Sequence, residues 1–189
     1  MQSLRDVFDG WSGYQTSLLH AIESLSRDQL KWRPAANRRT VGELARHIGL
    51  GRINWIGRIG APGIEKALAL IPDWHTDADG VRHVVEDAVP ADDPETLVKW
   101  LGISWEPIQR ALDEWTVADL PETYRHRWNG KTYANSKQWT LWRVMAHDIH
   151  HGGQLALMLA LLDVKAFELR TLGGHIVAPP LAAPEDAND

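Results

Sequence analysis

"MAHDIHHGGQLALMLALL", residues 145–162, decides how the chain is read. It is an apolar run with three histidines, His147, His150 and His151, crowded at its head. Val144, His147, His151, Leu155, Met158 and Leu162 follow one another in steps of three and four, the spacing of one helix face. Two imidazoles thus stand on a buried seam where leucines are expected. Burying them without partners would cost roughly several kcal/mol. Residues four apart on a helix sit about 6 Å from each other and point the same way. Their nitrogens can converge on one metal ion, or they can belong to a polar network inside the core.

Three more amphipathic stretches precede this one. Val7, Trp11, Tyr14, Leu18, Ile22 and Leu25 trace the first stripe. "TVGELARHIGLGRINWIGRI" opens the second, with Thr40 and Glu43 spaced as a capping box and Leu44, Ile48, Trp55 and Ile59 as its stripe. The third follows Asp93, an N-cap residue, and Pro94, suited to the first helical position. Leu97, Trp100, Leu101, Ile108, Leu112 and Trp115 line one side of it, and Pro107 should kink it or loosen a turn. The fourth helix is expected from about Thr140, as its cap, to Leu162.

The connections complete the architecture. "SRDQLKWRPAANRRT" reads as a polar link. Residues 60–93 form a long crossover with one short helix at Ile64–Leu70, and that length suits parallel neighbours. "YRHRWNGKTYA" alternates about Asn129-Gly130, the pattern of a tight hairpin. The fold class is therefore all-α: a four-helix bundle with one long crossover and a small β-hairpin before the last helix. Residues 1–172 are expected to form one domain, with a Pro-rich, flexible tail over 173–189.

Composition narrows the function. The net charge of −5 offers no basic field for nucleic acid or an anionic membrane. No cysteine is present, so a thiolate can be neither ligand nor nucleophile from this chain. The first residues lack the apolar core of a signal peptide, and no apolar run spans a bilayer, so a cytoplasmic location is expected. Ten tryptophans are many for 189 residues. Trp11, Trp55, Trp100, Trp115 and Trp142 fall at stripe spacing and read as core. Trp32, Trp74 and Trp128 lie in connections, where they can wall a pocket.

A third ligand should come from a facing helix. His47, on or beside the buried stripe of the second helix, is the best placed. His20 should face water, and His75, His83, His126 and His175 fall in connections or the tail. Three neutral imidazoles with open positions suit zinc, nickel, iron(II) or copper better than magnesium or calcium. Asp148 and Gln154 flank the pair and can orient an imidazole or stay solvated; His150 reads as a rim residue. The pair Arg38-Arg39 reads as a solvated loop.

"LSRDQLKWRPAANRRTVGELARHIG" together with "TLWRVMAHDIHHGGQLALMLALL" resembles the DinB superfamily over roughly residues 1–165. The resemblance implies a four-helix bundle holding one divalent transition metal per chain through His47, His147 and His151, with Gly153-Gln154 completing the motif. Zinc or nickel is expected, with iron or manganese as further options. Many members carry Arg where this chain has Gly152, so any role of that Arg is absent here. Characterised members imply a metal-dependent thiol S-transferase or thiol-dependent isomerase, acting on a low-molecular-weight thiol cosubstrate and an electrophile. The alternatives are a hydrolase using metal-bound hydroxide, with Asp148 or Glu43 as the base, and a non-enzymatic metal-binding or stress-response protein. Asp148, His150, Gln154 and Trp74 are the expected pocket residues, and a homodimer is an expected assembly.

Overall fold

The computed structural model describes residues 3–164. In chain order the helices are α1 (Asp9–Glu23), α2 (Arg27–Lys31), α3 (Val41–Ile56), α4 (Ile64–Ala69), α5 (Pro94–Glu114) and α6 (Lys137–Leu161). Strands β1 (Trp74–Thr76) and β2 (Arg82–Val84) pair within the crossover; β3 (Thr123–Trp128) and β4 (Lys131–Ser136) pair ahead of α6. The four long helices form the bundle, and the fold is all-α with a small hairpin before the last helix. No helix among the described residues is long and apolar enough to cross a membrane.

Local chemistry sets these boundaries. Thr40 and Glu43 exchange side-chain and backbone bonds as a capping box at the head of α3. Asp93 accepts from the Thr96 amide at 2.9 Å to start α5, with Pro94 in its first turn. That helix continues unbroken through Pro107. The β3–β4 turn has Asn129 and Gly130 both at positive φ, 50° and 70°, the geometry an Asn-Gly hairpin favours.

The crossover does what its length suggests. Gly42 lies against Ala91, and two turns later Gly49 lies against Trp100 and Ser104, so α3 and α5 run side by side in the same direction. His47 stacks near His151 while Arg52 pairs with Asp148, so α6 runs antiparallel to α3. Two apolar clusters fill the bundle. One gathers Trp11, Ile53, Trp105 and Val144; the other gathers Leu18, Ile48, Leu101 and Leu155. Between them, along each helix, sit the buried polar residues Gln15, Arg52, Ser104 and Asp148.

Several expectations are corrected. Val7 is exposed, because it precedes α1 in the turn after a short 3-10 segment, Leu4–Asp6. The cap of α6 is Ser136, whose hydroxyl accepts from the Trp139 amide; Thr140 is a buried helical residue whose hydroxyl donates to the Ser136 carbonyl. Trp142 is 61% exposed, since it lies about 200° around α6 from Val144. Trp128 is exposed at the hairpin tip. The polar link contains α2, with its own capping box from Ser26 and Gln29. The β1–β2 pair carried no alternation long enough to announce it. The tail over 173–189 and His175 lie outside the described residues.

Candidate metal centre

The centre line of the buried face of α6 is Leu141, Val144, Asp148, Gly152, Leu155 and Leu159, all buried. His147 and His151 lie along its α3-facing edge, where His147 is buried and His151 half-buried. That edge is where a helix can hold a ligand and still offer it access. Across it, α3 presents His47. One ring nitrogen from each of the three histidines lies within 4.8 Å of the others. The Nε2 atoms of His47 and His147 are 3.2 Å apart.

The outer nitrogens explain which way the lone pairs face. His47 Nδ1 lies 2.7 Å from Glu86 Oε1, and a carboxylate accepts, so Nδ1 donates and Nε2 is bare. His151 Nδ1 donates to Gln154 Oε1 at 2.8 Å, which again leaves Nε2 bare. His147 Nδ1 is 3.8 Å from Asp148 Oδ1, beyond hydrogen-bond reach, and neither atom has a hydrogen-bond partner. If His147 carries its proton on Nδ1, two bare nitrogens face each other at 3.2 Å. If it carries the proton on Nε2, a lone pair faces the Asp148 carboxylate instead. A cation between the nitrogens removes the conflict and lets Nδ1–H serve Asp148, the arrangement usual for metal-bound imidazoles. Tetrahedral ligation at about 2.0–2.1 Å sets nitrogens roughly 3.3 Å apart. The spacing of His47 and His147 already meets that value, so the residues fit a metal ion.

Protonation favours the same reading. Burial lowers the pKa of His147, only partly opposed by Asp148, and His47 lowers it further. Burial and the neighbouring imidazoles push His151 down to about 4. Neutral rings are what a metal needs. Burial alone would raise Glu86, but its bond to His47 and the nearby Arg39 and Arg46 hold its carboxyl low. Burial would also raise Asp148, yet Arg52, His147 and the Trp11 indole together keep it low and ionised.

The remaining expected residues fall into place unevenly. Gln154 bridges His151 to His150, which is exposed, so both belong to the rim. Asp148 is fully buried in an ion pair with Arg52, with the Trp11 indole donating to it at 3.0 Å; it cannot reach a ligand as a base. Glu43 is held by its capping box and by Arg33, and it lines a separate cleft with Lys31 and Arg46. Trp74 lines a different cleft, with Asn54 and Arg58. The cleft beside His151, about 520 Å³, is lined by Arg38, Arg39, Leu44, Gln154, Leu157 and Met158.

Four contributors lie outside the residues expected for the site. Glu86 comes from a 3-10 turn in the crossover and carries no periodic signal. Arg39 pairs with Glu86 and walls the cleft, so its loop is more than solvated. Arg52 and Gly51 could have been read. Arg52 follows Ile48 by one turn on an apolar stripe, and a glycine inside a helix is costly without reason. Gly51 leaves room for His147: a Cβ there would stand 2.7 Å from that ring. Gly152 likewise yields its space to Tyr14, whose hydroxyl donates to the Asp148 carbonyl at 2.6 Å. The space that a side chain at 152 would take is filled by this tyrosine from α1.

Comparison with known proteins agrees with this frame. A DinB-like protein from Bacillus cereus superposes with a TM-score of 0.61 at 17% identity, covering 89% of this chain and 98% of that one. A DinB-like protein from Bacillus subtilis gives 0.55 at 13% identity, covering 85% and 94%. At these identities the likeness is one of fold. No curated protein matches the chain. The model of the DinB superfamily matches residues 13–155, well over half of the sequence. The chain belongs to the DinB superfamily.

Proposed function

We propose that the protein is a metal-dependent thiol S-transferase or thiol-dependent isomerase, with one divalent transition metal, zinc or nickel before iron or manganese, on His47, His147 and His151. One observation carries the reading. His151, at the edge of the three, opens on a cleft whose described walls hold two guanidiniums and no carboxylate. A hydrolase of this kind wants a carboxylate to take a proton from water. Asp148 and Glu43, the candidates for that role, are both committed to structural partners. A small thiol, with a pKa near 8.5, needs no such base when positive charge stands beside it. When bound, the metal supplies that charge and lowers the pKa of a thiol at its open position.

The chain's own residues divide the remaining work. Glu86 and Gln154 fix the tautomers of His47 and His151 and aim their lone pairs inward. Arg38 and Arg39 suit a thiol that carries a carboxylate, while Leu44, Leu157 and Met158 give an apolar wall for the electrophile. The thiol proton leaves to solvent. The sulfur then forms a bond to an electrophilic carbon, which releases its leaving group in a transfer; in an isomerisation the same C–S bond later breaks. The test is thiol consumption by metal-loaded protein, with several thiols against a panel of electrophiles. Turnover lost in His151→Ala supports the reading. Hydrolysis of an activated ester without thiol, lost on metal removal, would overturn it.

A further inference from the structure

A second cleft, about 660 Å³, opens between the C-terminal end of α3 and the two hairpins. Its α3 residues, Ile53 and Asn54, begin six residues beyond His47, about 9 Å along the helix axis, and Arg58 follows in the 3-10 turn after the helix. It shares no lining residue with the cleft beside His151. Four arginines line it, Arg58, Arg82, Arg125 and Arg127, and the first two are held flat against tryptophans. The Arg58 guanidinium lies over Trp55 at 4.6 Å, and that of Arg82 over Trp74 at 4.4 Å. Neither has a carboxylate within ion-pair distance among the described residues.

Two acids help to build the cleft, and one of them, Asp79, also lines it. Asp77 accepts the amides of Asp79 and Val81 through one oxygen and faces His83 Nε2 at 2.8 Å through the other. His83 Nε2 therefore donates, and its bare Nδ1 accepts from Arg58 Nη2 at 3.3 Å. Asp79 accepts the Gly130 amide and so ties one hairpin to the other. The chain Asp77–His83–Arg58 thus orients one guanidinium fork and leaves its other donors open. Stacking does the same for Arg82, because an aromatic face occupies the plane and not the N–H edge. A pre-oriented, unneutralised guanidinium pair recognises an oxyanion by charge-assisted bonds.

We propose that this cleft binds a small molecule through a phosphate or carboxylate group held between Arg58 and Arg82. The proposal does not depend on the metal or on the reaction assigned to it. The test uses the full chain and two probes, inorganic phosphate and succinate, followed by NMR of the arginine Nε–H and tryptophan indole signals. Saturable shifts at Arg58, Arg82 and Trp74 are expected with at least one probe, and the stronger probe identifies the oxyanion. Arg82→Gln should weaken that binding about tenfold, as loss of a charge-assisted fork requires, and Arg82→Lys should weaken it less. Arg82 is exposed, so its variants test the site without disturbing the core. Absence of saturable shifts with both probes, or equal affinity in Arg82→Gln, would overturn the proposal.

Discussion

Gly51→Ala adds one methyl group against the metal centre, and the structure fixes the sign of each consequence. An alanine Cβ would stand 2.7 Å from His147 Cε1 and 2.9 Å from its Nε2. Ordinary carbon contacts are about 3.5 Å, so the ring must retreat by roughly 0.8 Å. Metal-ligand distances tolerate only about 0.2 Å, so His147 leaves its ligating position. Metal affinity should fall by about 10- to 100-fold, the range seen when a ligand loses its orientation. Helix propensity pulls the other way: alanine is favoured over glycine by about 0.8–1.0 kcal/mol in a helix interior. The two effects separate in a His147→Ala background, where the ring is gone. There Gly51→Ala should raise the melting temperature by about 2–4 °C, measured with chelator present. Affinity is read by competition with a chromophoric chelator. Unchanged affinity in Gly51→Ala, or an equal thermal shift in both backgrounds, would refute the packing argument.

Three other perturbations probe the frame behind the site. Asp148→Asn leaves the Arg52 charge buried and unpaired, so denaturant unfolding should show a loss of about 3–5 kcal/mol, with much of it recovered in an Arg52→Met, Asp148→Leu double variant. Gly152→Ala places a Cβ 1.4 Å from the Tyr14 hydroxyl oxygen and should cost about 1–3 kcal/mol; in a Tyr14→Ala background the same change should no longer destabilise. Asp93 is held low by the Thr96 amide and hydroxyl, so its contribution is complete above about pH 4 and disappears as pH falls. Asp93→Asn should therefore lower stability at pH 7 and flatten the acid limb of a stability–pH curve, the two proteins converging at low pH; an unaltered limb would show that the cap charge is not linked to folding.

The sequence was most legible where one residue type has one physical use. Thr40 with Glu43, Asp93 with Pro94, and Asn129-Gly130 each specify a local geometry that needs no tertiary partner, and the structure forms all three. The histidines on α6 were legible because imidazole is out of place on an apolar seam. Their exact line was not: periodicity placed them at its centre, whereas Asp148 and Gly152 occupy the centre and the histidines its edge. A stripe counted in threes and fours cannot separate adjacent rows about 40° apart. Glu86 and the β1–β2 pair were illegible for another reason. Their positions follow from how the crossover drapes over α3, and no local pattern in residues 71–89 encodes that. Trp142 shows the opposite error, since the spacing that reads it as core overlooks that its angle on α6 points outward.

The electrostatics behind the three imidazoles follow one repeated plan. His47 is backed by Glu86, and Glu86 by Arg39 at 3.6 Å. His147 is backed by Asp148, and Asp148 by Arg52 at 2.9 Å. In each relay the acid can accept a ring N–H, and its negative charge is cancelled from behind by a guanidinium. His151 rests on Gln154, which is neutral. The ligands and the groups behind them therefore sum to no net charge. A carboxylate left uncancelled in either relay would dilute the positive charge of a cation at the centre. Removing Arg39 should then differ in kind from removing Glu86. Arg39→Gln leaves the His47 tautomer in place and adds net negative charge, so metal affinity should hold or rise while thiol activation weakens. Glu86→Gln frees the tautomer, because an amide can donate as well as accept, and metal affinity should fall. Measuring metal affinity together with the pH profile of thiol consumption for both variants separates the two. If both variants lose metal alike, the relays act only as packing, and the charge-cancelling argument fails.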